Sequence, residues 1–273
     1  DISLNTSAND IAAELYSPCL RWAERYDRAV GFFSTGWLKR NIYGMSDFAS
    51  RGGKIRLIVS PIISNADYDA IMRASEESES FELLQKAIKE NVDVLAKEMG
   101  KDLYNTFAWM VHDGIVDIRF AVPDGKLDGM FHSKFGIFYN GDDAIAFSGS
   151  LNDSEQGFTN AEDITIFKTW AGTGEYVIRI EKRFEKLWNK EDQNTKIYTA
   201  TQGIKEHIFT LRTSEERPYK KSNDVAEQFK PKGTQDTAKY QNVSLGVDKA
   251  ITIPAPKPGK YYISVFCDTT VDT

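Results

Sequence analysis

A histidine and a lysine stand two residues apart in a strand-like segment, and a small polar turn and an acidic residue follow. His132 and Lys134 lie in "FHSKFGIFY", Ser150 and Asn152 in "SGSLN", and Glu162 in "NAEDITIF". Side chains of a β-strand alternate between two faces, so residues two apart share a face. We therefore expect an imidazole and an ammonium group on one strand to meet a hydroxyl and a carboxamide from the next.

This set of groups suits a phosphate. An ammonium group supplies charge, while hydroxyl and amide groups donate directed hydrogen bonds to phosphate oxygens. A neutral imidazole can attack phosphorus and form a covalent phosphohistidine. A carboxylate at the other ring nitrogen, for which Glu162 is the candidate, would fix the tautomer and stabilise the cation. His-x-Lys alone is common in half-exposed strands, so the joint spacing is what favours a site.

The joint pattern of "HSK", "GSLN" and "NAE" resembles the HKD motif of the phospholipase D superfamily, His-x-Lys followed by Gly-Ser-x-Asn and a downstream Glu. More weakly, "DRAVGFFSTGWL", "GGKIRLIVSP" and "YVIRIEKRFEKLWN" are similar to the phospholipase-D-like nuclease domains attached to bacterial helicases and restriction enzymes. The resemblance extends over residues 7 to 190.

The resemblance implies a role for each residue of the motif. His132 would be the nucleophile and Glu162 its hydrogen-bond partner. The scissile phosphate would be held by three side chains, Lys134, Ser150 and Asn152. Asn160 occupies a position that is often polar in the family, and we count it among the candidate substrate-binding residues.

One position departs from the family pattern. Tyr139 stands five residues after Lys134, where the family often has Asp, and Asp142 and Asp143 lie nearby out of register. Some nuclease members, including a metal-independent restriction endonuclease, also lack that Asp. The departure therefore points to that branch and also raises the alternative that activity has been lost.

The number of histidines bears on how a site could be completed. In the family two HKD motifs build one site, whereas this sequence holds one, because His112 and His207 have no Lys two residues on. The resemblance therefore implies a homodimer in which His132 and its symmetry mate meet at a two-fold axis. We expect His112 to be a structural residue at a helix end, in or near the core, and His207 to lie on a solvated helix face.

The composition of the chain limits the kinds of substrate and partner that we expect. The chain has 273 residues and a formal net charge of −6. This charge argues against sequence-independent binding of phosphates over a large surface, but it does not argue against a local basic cleft. Five cations, Lys39, Arg40, Arg51, Lys54 and Arg56, form a local basic stretch. No apolar run approaches the ~20 residues of a membrane span. We expect a cytoplasmic protein with no membrane partner, no metal site and no cofactor.

The leading hypothesis is a metal-independent phosphodiesterase, namely a nuclease that cleaves DNA through a covalent phosphohistidine at a site shared by two subunits. Nucleic acid and a second copy of the chain are the expected partners, with a helicase or restriction protein as a further candidate. One alternative is a non-catalytic nucleic-acid-binding or assembly module, which Tyr139 and the acidic charge favour. Another is a phospholipase.

Alternating strand and helix patterns predict an α/β fold. The resemblance implies a phospholipase-D-like sandwich with a mixed, largely parallel β-sheet flanked by helices. We predict a nuclease domain over residues 1–190, a helix and polar linker over 191–240, and a small β-rich C-terminal extension over 241–273. Within the first of these, "NGDD" predicts a hairpin turn between two strands.

Overall fold

The computed structural model describes residues 3–31, 44–73, 77–124, 131–150 and 161–220. The predicted β-rich extension over 241–273 lies outside the described residues. The chain divides into two units, Asp1–Ser222 and Asn223–Thr273, and all described residues belong to the first.

A single eight-stranded sheet forms the centre of the first unit. Its strands are β1 (Ser3–Asn5), β2 (Arg25–Val30), β3 (Lys54–Val59), β4 (Val116–Pro123), β5 (Lys134–Asn140), β6 (Asp143–Gly149), β7 (Asp163–Lys168) and β8 (Thr195–Thr199). Their spatial order is β1-β7-β6-β5-β2-β3-β4-β8. Strand β5, which carries Lys134, therefore lies near the middle of the sheet.

Strand β2 pairs in parallel with β3, and β3 pairs in parallel with β4. The sheet is mixed, as expected, but the prediction that it is largely parallel is wrong, because the other five pairings are antiparallel. The hairpin of β5 and β6 explains part of the difference. Two residues join these strands at Gly141, whose φ is +56°, and so short a connection permits only antiparallel pairing.

Helices cover both faces of the sheet. They are α1 (Ser17–Trp22), α2 (Asn65–Arg73), α3 (Glu77–Glu98), α4 (Lys101–His112), α5 (Gly174–Trp188) and α6 (Gln202–Thr210), and residues 44–50 are also helical. A π-helical segment, Ala12–Tyr16, leads into α1. Pro18 lies in the first turn of α1, directly after the π-helical segment. None of the helices within the described ranges is long and apolar enough to span a bilayer.

The core has one hydrophobic cluster on each side of the sheet. Phe135 and Ile137 of β5 pack with residues of α5, including Phe184, on what we call the α5 face. Phe138 of β5 packs on the opposite face, where residues of α1, α3, α4 and α6 complete a larger cluster. Successive residues of β5 thus alternate between the two clusters, as strand geometry requires.

Two elements lie beyond the predicted boundary at residue 190. Strand β8 pairs with β4 at the edge of the sheet, and α6 contributes Ile204 and Ile208 to the core. The Thr201 side chain caps α6 by accepting a hydrogen bond from the backbone N–H of Ile204. The segment predicted as helix and linker therefore supplies part of the first unit, which extends to Ser222.

Candidate active site

His132 and Lys134 meet at the start of β5. The Lys134 Nζ atom lies 2.8 Å from His132 Nδ1, 3.1 Å from His132 Nε2 and 3.1 Å from the His132 carbonyl oxygen. An ammonium group has donors only, so this contact suits a neutral imidazole, which is the nucleophilic form. The expected strand over 131–139 begins only at Lys134, so His132 projects from the segment that leads into it.

Burial and two neighbouring charges act on the Lys134 ammonium group. Lys134 is 9% exposed, whereas His132 is open to solvent. Burial lowers the pKa of Lys134; the carboxylate of Glu162 raises it, and the guanidinium of Arg28 lowers it again. The site thus holds a lysine whose charge is costly without a bound anion, which is the electrostatic condition of a site that gains from binding one.

Arg28 is a second buried cation on the same side of the sheet, and sequence reasoning missed it. It lies on β2 opposite Gly136 of β5, next to the pair Val30 and Lys134, and it is 1% exposed. Its guanidinium lies 5.0 Å from the centre of the Phe147 ring. Only the register of β2 against β5 reveals that Arg28 and Lys134 are neighbours, and a single sequence does not give that register.

Ser150 is hydrogen-bonded to Asp163, the first residue of β7. Its backbone N–H donates to the Asp163 carbonyl oxygen at 3.1 Å, and its Oγ accepts from the Asp163 N–H at 3.2 Å. The Ser150 side chain is exposed, and its hydroxyl hydrogen can still be donated to a ligand. Asn152 and Asn160 fall in 151–160, outside the described residues, so their predicted contacts with phosphate stay predictions.

Glu162 is anchored through its backbone to the end of β1. Its N–H donates to Thr6 Oγ1 at 2.9 Å, and its carbonyl oxygen accepts from the Thr6 N–H at 3.0 Å. Within the described residues, His132 is hydrogen-bonded to Lys134 and not to Glu162. The carboxylate of Glu162 instead acts on the charge of Lys134, whose pKa it raises.

Tyr139 lies on the α5 face at the far end of β5. The Arg25 guanidinium is 3.8 Å from the centre of its ring, and its hydroxyl donates to Glu181 Oε1 at 3.3 Å. Burial raises the pKa of the Tyr139 phenol. Five residues of strand span about 17 Å, so the position that departs from the family pattern is remote from Lys134. Its residue type therefore does not act on the groups that would hold phosphate.

Three cations of the predicted basic stretch form hydrogen bonds within the protein. Arg56 forms hydrogen bonds with the buried Asp27 at 2.6 and 2.7 Å and with Glu185 at 2.5 Å. Burial alone lowers the pKa of Arg56, but its hydrogen bonds with these two carboxylates raise it above the usual value. Arg51 donates to the Leu20 carbonyl oxygen, and Lys54 donates to the Gly114 carbonyl oxygen. These three cations are structural, whereas Lys39 and Arg40 lie outside the described residues.

The other two histidines have structural contacts. His207 Nε2 lies 2.8 Å from Asp93 Oδ1 and is half-buried, so the prediction of a solvated helix face is wrong. His112 ends α4 as predicted, but its ring is exposed and stacks on Phe209 with centroids 3.9 Å apart. Among the described residues, no group of three or more His, Cys, Asp or Glu residues is placed to hold a metal ion.

Gly31 fixes the position of His132. A Cβ atom at Gly31 would lie 2.8 Å from the Phe131 carbonyl oxygen, 3.0 Å from His132 Cα and 3.1 Å from His132 Cδ2. We expect Gly31→Ala to displace the imidazole and to lower kcat by about 10- to 100-fold, because small misplacements of a reacting group are costly. Steady-state kinetics with a phosphodiester substrate measures this.

Gly100→Ala is the matched control for Gly31→Ala. Gly100 precedes α4, and a Cβ atom there would meet nothing within 4 Å. Melting temperatures of both variants separate a local displacement from a general loss of stability. Equal kcat values for the two variants would show that Gly31 does not position His132.

Comparison with known proteins bears on the fold. No protein-family model matches the chain, and no curated protein does. Its structure is similar to that of NucT from Helicobacter pylori, with 15% identity and a TM-score of 0.39 over 72% of this chain and 99% of that chain. It is also similar to phosphatidylserine synthase from Haemophilus influenzae Rd KW20, with 13% identity and a TM-score of 0.44 over 72% of this chain and 39% of that one.

A third similar structure is described as a phospholipase D family member, Nuc from Salmonella typhimurium. The identity is 12% and the TM-score 0.38, over 72% of this chain and 95% of that one. At these identities and TM-scores, the fold and the chemistry rest on the chain's own residues.

Proposed function

We propose that this protein is a phosphodiesterase that cleaves nucleic acid through nucleophilic attack of His132 on phosphorus. The observation that carries the proposal is the contact between the Lys134 ammonium group and the ring nitrogens of His132, at 2.8 and 3.1 Å. A nucleophile and the cation that would bind its target phosphate lie within one hydrogen bond of each other. The sequence motif that continues through Ser150, Asn152 and Glu162 supports the same chemistry.

Binding of a phosphodiester begins with an exchange of partners at Lys134. Anionic phosphate oxygens are stronger acceptors for an ammonium group than a neutral ring nitrogen is. The phosphate therefore draws Nζ away from the imidazole, and the ring nitrogen regains its lone pair. Lys134 and the exposed hydroxyl of Ser150 then neutralise charge that develops on the phosphate oxygens in the transition state.

The reaction proceeds in two displacements. In the first, a ring nitrogen of His132 forms a bond to phosphorus, the P–O bond to the leaving group breaks, and the leaving oxygen takes a proton from a second imidazolium. In the second, that imidazole removes a proton from water, whose oxygen attacks phosphorus while the N–P bond breaks. A second His132, from another copy of the chain at a two-fold axis, supplies the acid and base. Charge neutralisation by lysine and hydroxyl groups requires no metal ion.

Two observations, Tyr139 and the acidic net charge, favoured the alternative of a non-catalytic module, and the first no longer does so. Tyr139, which favoured that alternative, lies on the α5 face and contacts Arg25 and Glu181 rather than the site. The acidic net charge remains and is compatible with either function. The contact between Lys134 and His132 supports the catalytic alternative.

A cleavage assay in EDTA tests the proposed function. We expect the full chain to cut plasmid DNA or a labelled oligonucleotide in the presence of EDTA, with single- and double-stranded substrates run in parallel. Phosphatidylcholine vesicles form the second arm and are expected to release no product. Strict dependence of DNA cleavage on Mg²⁺ would refute the metal-free mechanism, and hydrolysis of the lipid alone would replace the nuclease with a phospholipase.

Glu162→Gln is expected to lower the cleavage rate by about 10²-fold, by analogy with the carboxylates that orient other catalytic histidines. The pH profile separates two roles for this residue. Because the Glu162 carboxylate raises the pKa of Lys134, its removal should make KM begin to rise at a lower alkaline pH than in the wild type. A shift in the pH dependence of kcat, with KM unchanged, would instead indicate that Glu162 acts directly on His132.

A further inference from the structure

Helix α5 crosses the sheet from one side to the other. Near its start, Tyr176 stacks on Phe167 of β7, with ring centroids 5.2 Å apart. Further along, the Arg183 guanidinium lies 5.1 Å from the Phe135 ring of β5. At its end, the Trp188 ring lies 3.7 Å from the guanidinium of Arg119 on β4. The outward face of α5 therefore runs across four or more strands, past the strand that carries Lys134.

Two acidic residues of α5 face the sheet, whereas its basic residues face outward. Glu181 accepts a hydrogen bond from Tyr139, and Glu185 forms an ion pair with Arg56, so both carboxylates have partners on the sheet. The outward face carries four exposed cations, which we call the basic α5 face: Arg179, Lys182, Arg183 and Lys186. The exposed Glu175 makes only a 4.0 Å contact with Arg179, and such surface pairs contribute little.

The basic α5 face reaches the residue next to His132. Arg183 donates a hydrogen bond from its guanidinium to Ser133 Oγ at 2.8 Å. Ser133 lies between His132 and Lys134 in the chain, with its side chain on the α5 face of the sheet. Arg183 thus places one cation of the basic α5 face beside the residue that follows His132, the catalytic histidine of the proposed function.

We propose that the basic α5 face binds the sugar–phosphate backbone of the nucleic acid that His132 cleaves. This inference rests on the proposed function and names the surface that binds its substrate. From Arg179 to Lys186 the helix rises about 10 Å, which is close to the rise of three nucleotides of one strand. A protein with a net charge of −6 can bind a polyanion through such a local surface, because phosphate contacts depend on local charge density.

The packing of α5 favours nucleic acid over a membrane surface. A helix that binds at a bilayer interface inserts an apolar face among the acyl chains. The apolar face of α5, formed by Val177, Phe184, Leu187 and Trp188, is buried against the sheet. Near the start of the helix, Trp170 and Tyr176 are exposed aromatic rings, which offer stacking surfaces to bases beside the cations.

Charge removal on α5 tests the inference against a matched control. The test variant is Arg179→Gln/Lys182→Gln/Lys186→Gln, which spares Arg183 because of its bond to Ser133. The control, Lys86→Gln/Lys89→Gln/Lys97→Gln, removes three exposed lysines from α3 on the opposite face of the sheet. Both variants are made in the full chain with His132→Ala, and binding of a fluorescent DNA oligonucleotide is measured by anisotropy at several salt concentrations.

We expect the α5 variant to lose affinity by about 10-fold or more and to reduce the slope of log K against log salt by about two, with the α3 control close to the parent. Equal binding by the two variants would overturn the inference. Loss of binding to phosphatidylserine-containing vesicles, with DNA binding unchanged, would overturn it in favour of a membrane surface.

A small substrate keeps this inference separate from the proposed function. In the protein that keeps His132, hydrolysis of bis(p-nitrophenyl) phosphate reports on His132 and Lys134 alone, because this ester has no length of sugar–phosphate backbone. Failure of the parent protein to hydrolyse any phosphodiester would refute the proposed function, whereas the DNA-binding comparison would still decide the role of α5.

Discussion

Replacing His132 with alanine is expected to reduce phosphodiester cleavage by about 10³-fold or more, because the variant lacks the atom that forms the bond to phosphorus. The effect on folding should be small. His132 is exposed, and its ring contacts the Lys134 ammonium group. Melting temperature and oligomeric state should therefore stay at their wild-type values while the rate falls.

The other two histidines provide controls for His132→Ala. His112 stacks on Phe209, and His207 pairs with Asp93, so their alanine variants should affect stability more than the rate. Added imidazole should restore part of the activity of His132→Ala, since a free imidazole can occupy the space of the lost ring. Wild-type activity in His132→Ala would remove this residue from the mechanism.

Lys134→Met is expected to lower kcat/KM by about 10²- to 10³-fold, because the variant keeps the length of the side chain but loses the charge that neutralises the phosphate. The same change should not destabilise the protein. Burial and Arg28 lower the pKa of Lys134, so the ionised lysine costs folding free energy at pH values below that pKa. A group kept for function at the expense of stability behaves in this way.

The stability effect of Lys134→Met should depend on pH in a defined direction. The cost of the charged lysine is fully present at neutral pH and disappears as pH rises through the lowered pKa toward the ordinary lysine pKa of 10.5. The variant should therefore melt at or above the wild-type temperature at neutral pH, with the difference shrinking in alkaline buffer. A variant that melts far below wild type at neutral pH, with its activity retained, would contradict a phosphate-binding role.

Local patterns were sufficient to predict the alternation of side chains along β5 and the turn that follows it. The period of two along "FHSKFGIFY" correctly separated His132 and Lys134 from Phe135, and the "NGDD" turn predicted the hairpin of β5 and β6. The same alternation also places Tyr139 on the face away from Lys134, although the family pattern alone made this position look important. The alternation of side chains along the strand thus predicted the position of Tyr139 better than the family motif did.

Contacts between distant segments were not predictable from these patterns. Arg56 looked like part of a surface for phosphates, but its partners Asp27 and Glu185 lie 29 and 129 residues away in the chain. The proximity of Arg28 to Lys134 depends on the β2–β5 register in the same way. Strand β8, which is short and polar, lies at the edge of the sheet, where the hydrophobic pattern that identifies central strands is weak.

Trapping the covalent intermediate tests the central claim most directly. The full chain is mixed with a labelled oligonucleotide, quenched in alkali within the first turnover, digested and examined by mass spectrometry. We predict a nucleotide joined through phosphorus to His132, stable in alkali and labile in acid, and absent from the His132→Ala variant. Rapid DNA cleavage with no adduct on His132, or with the adduct on another residue, would contradict the account.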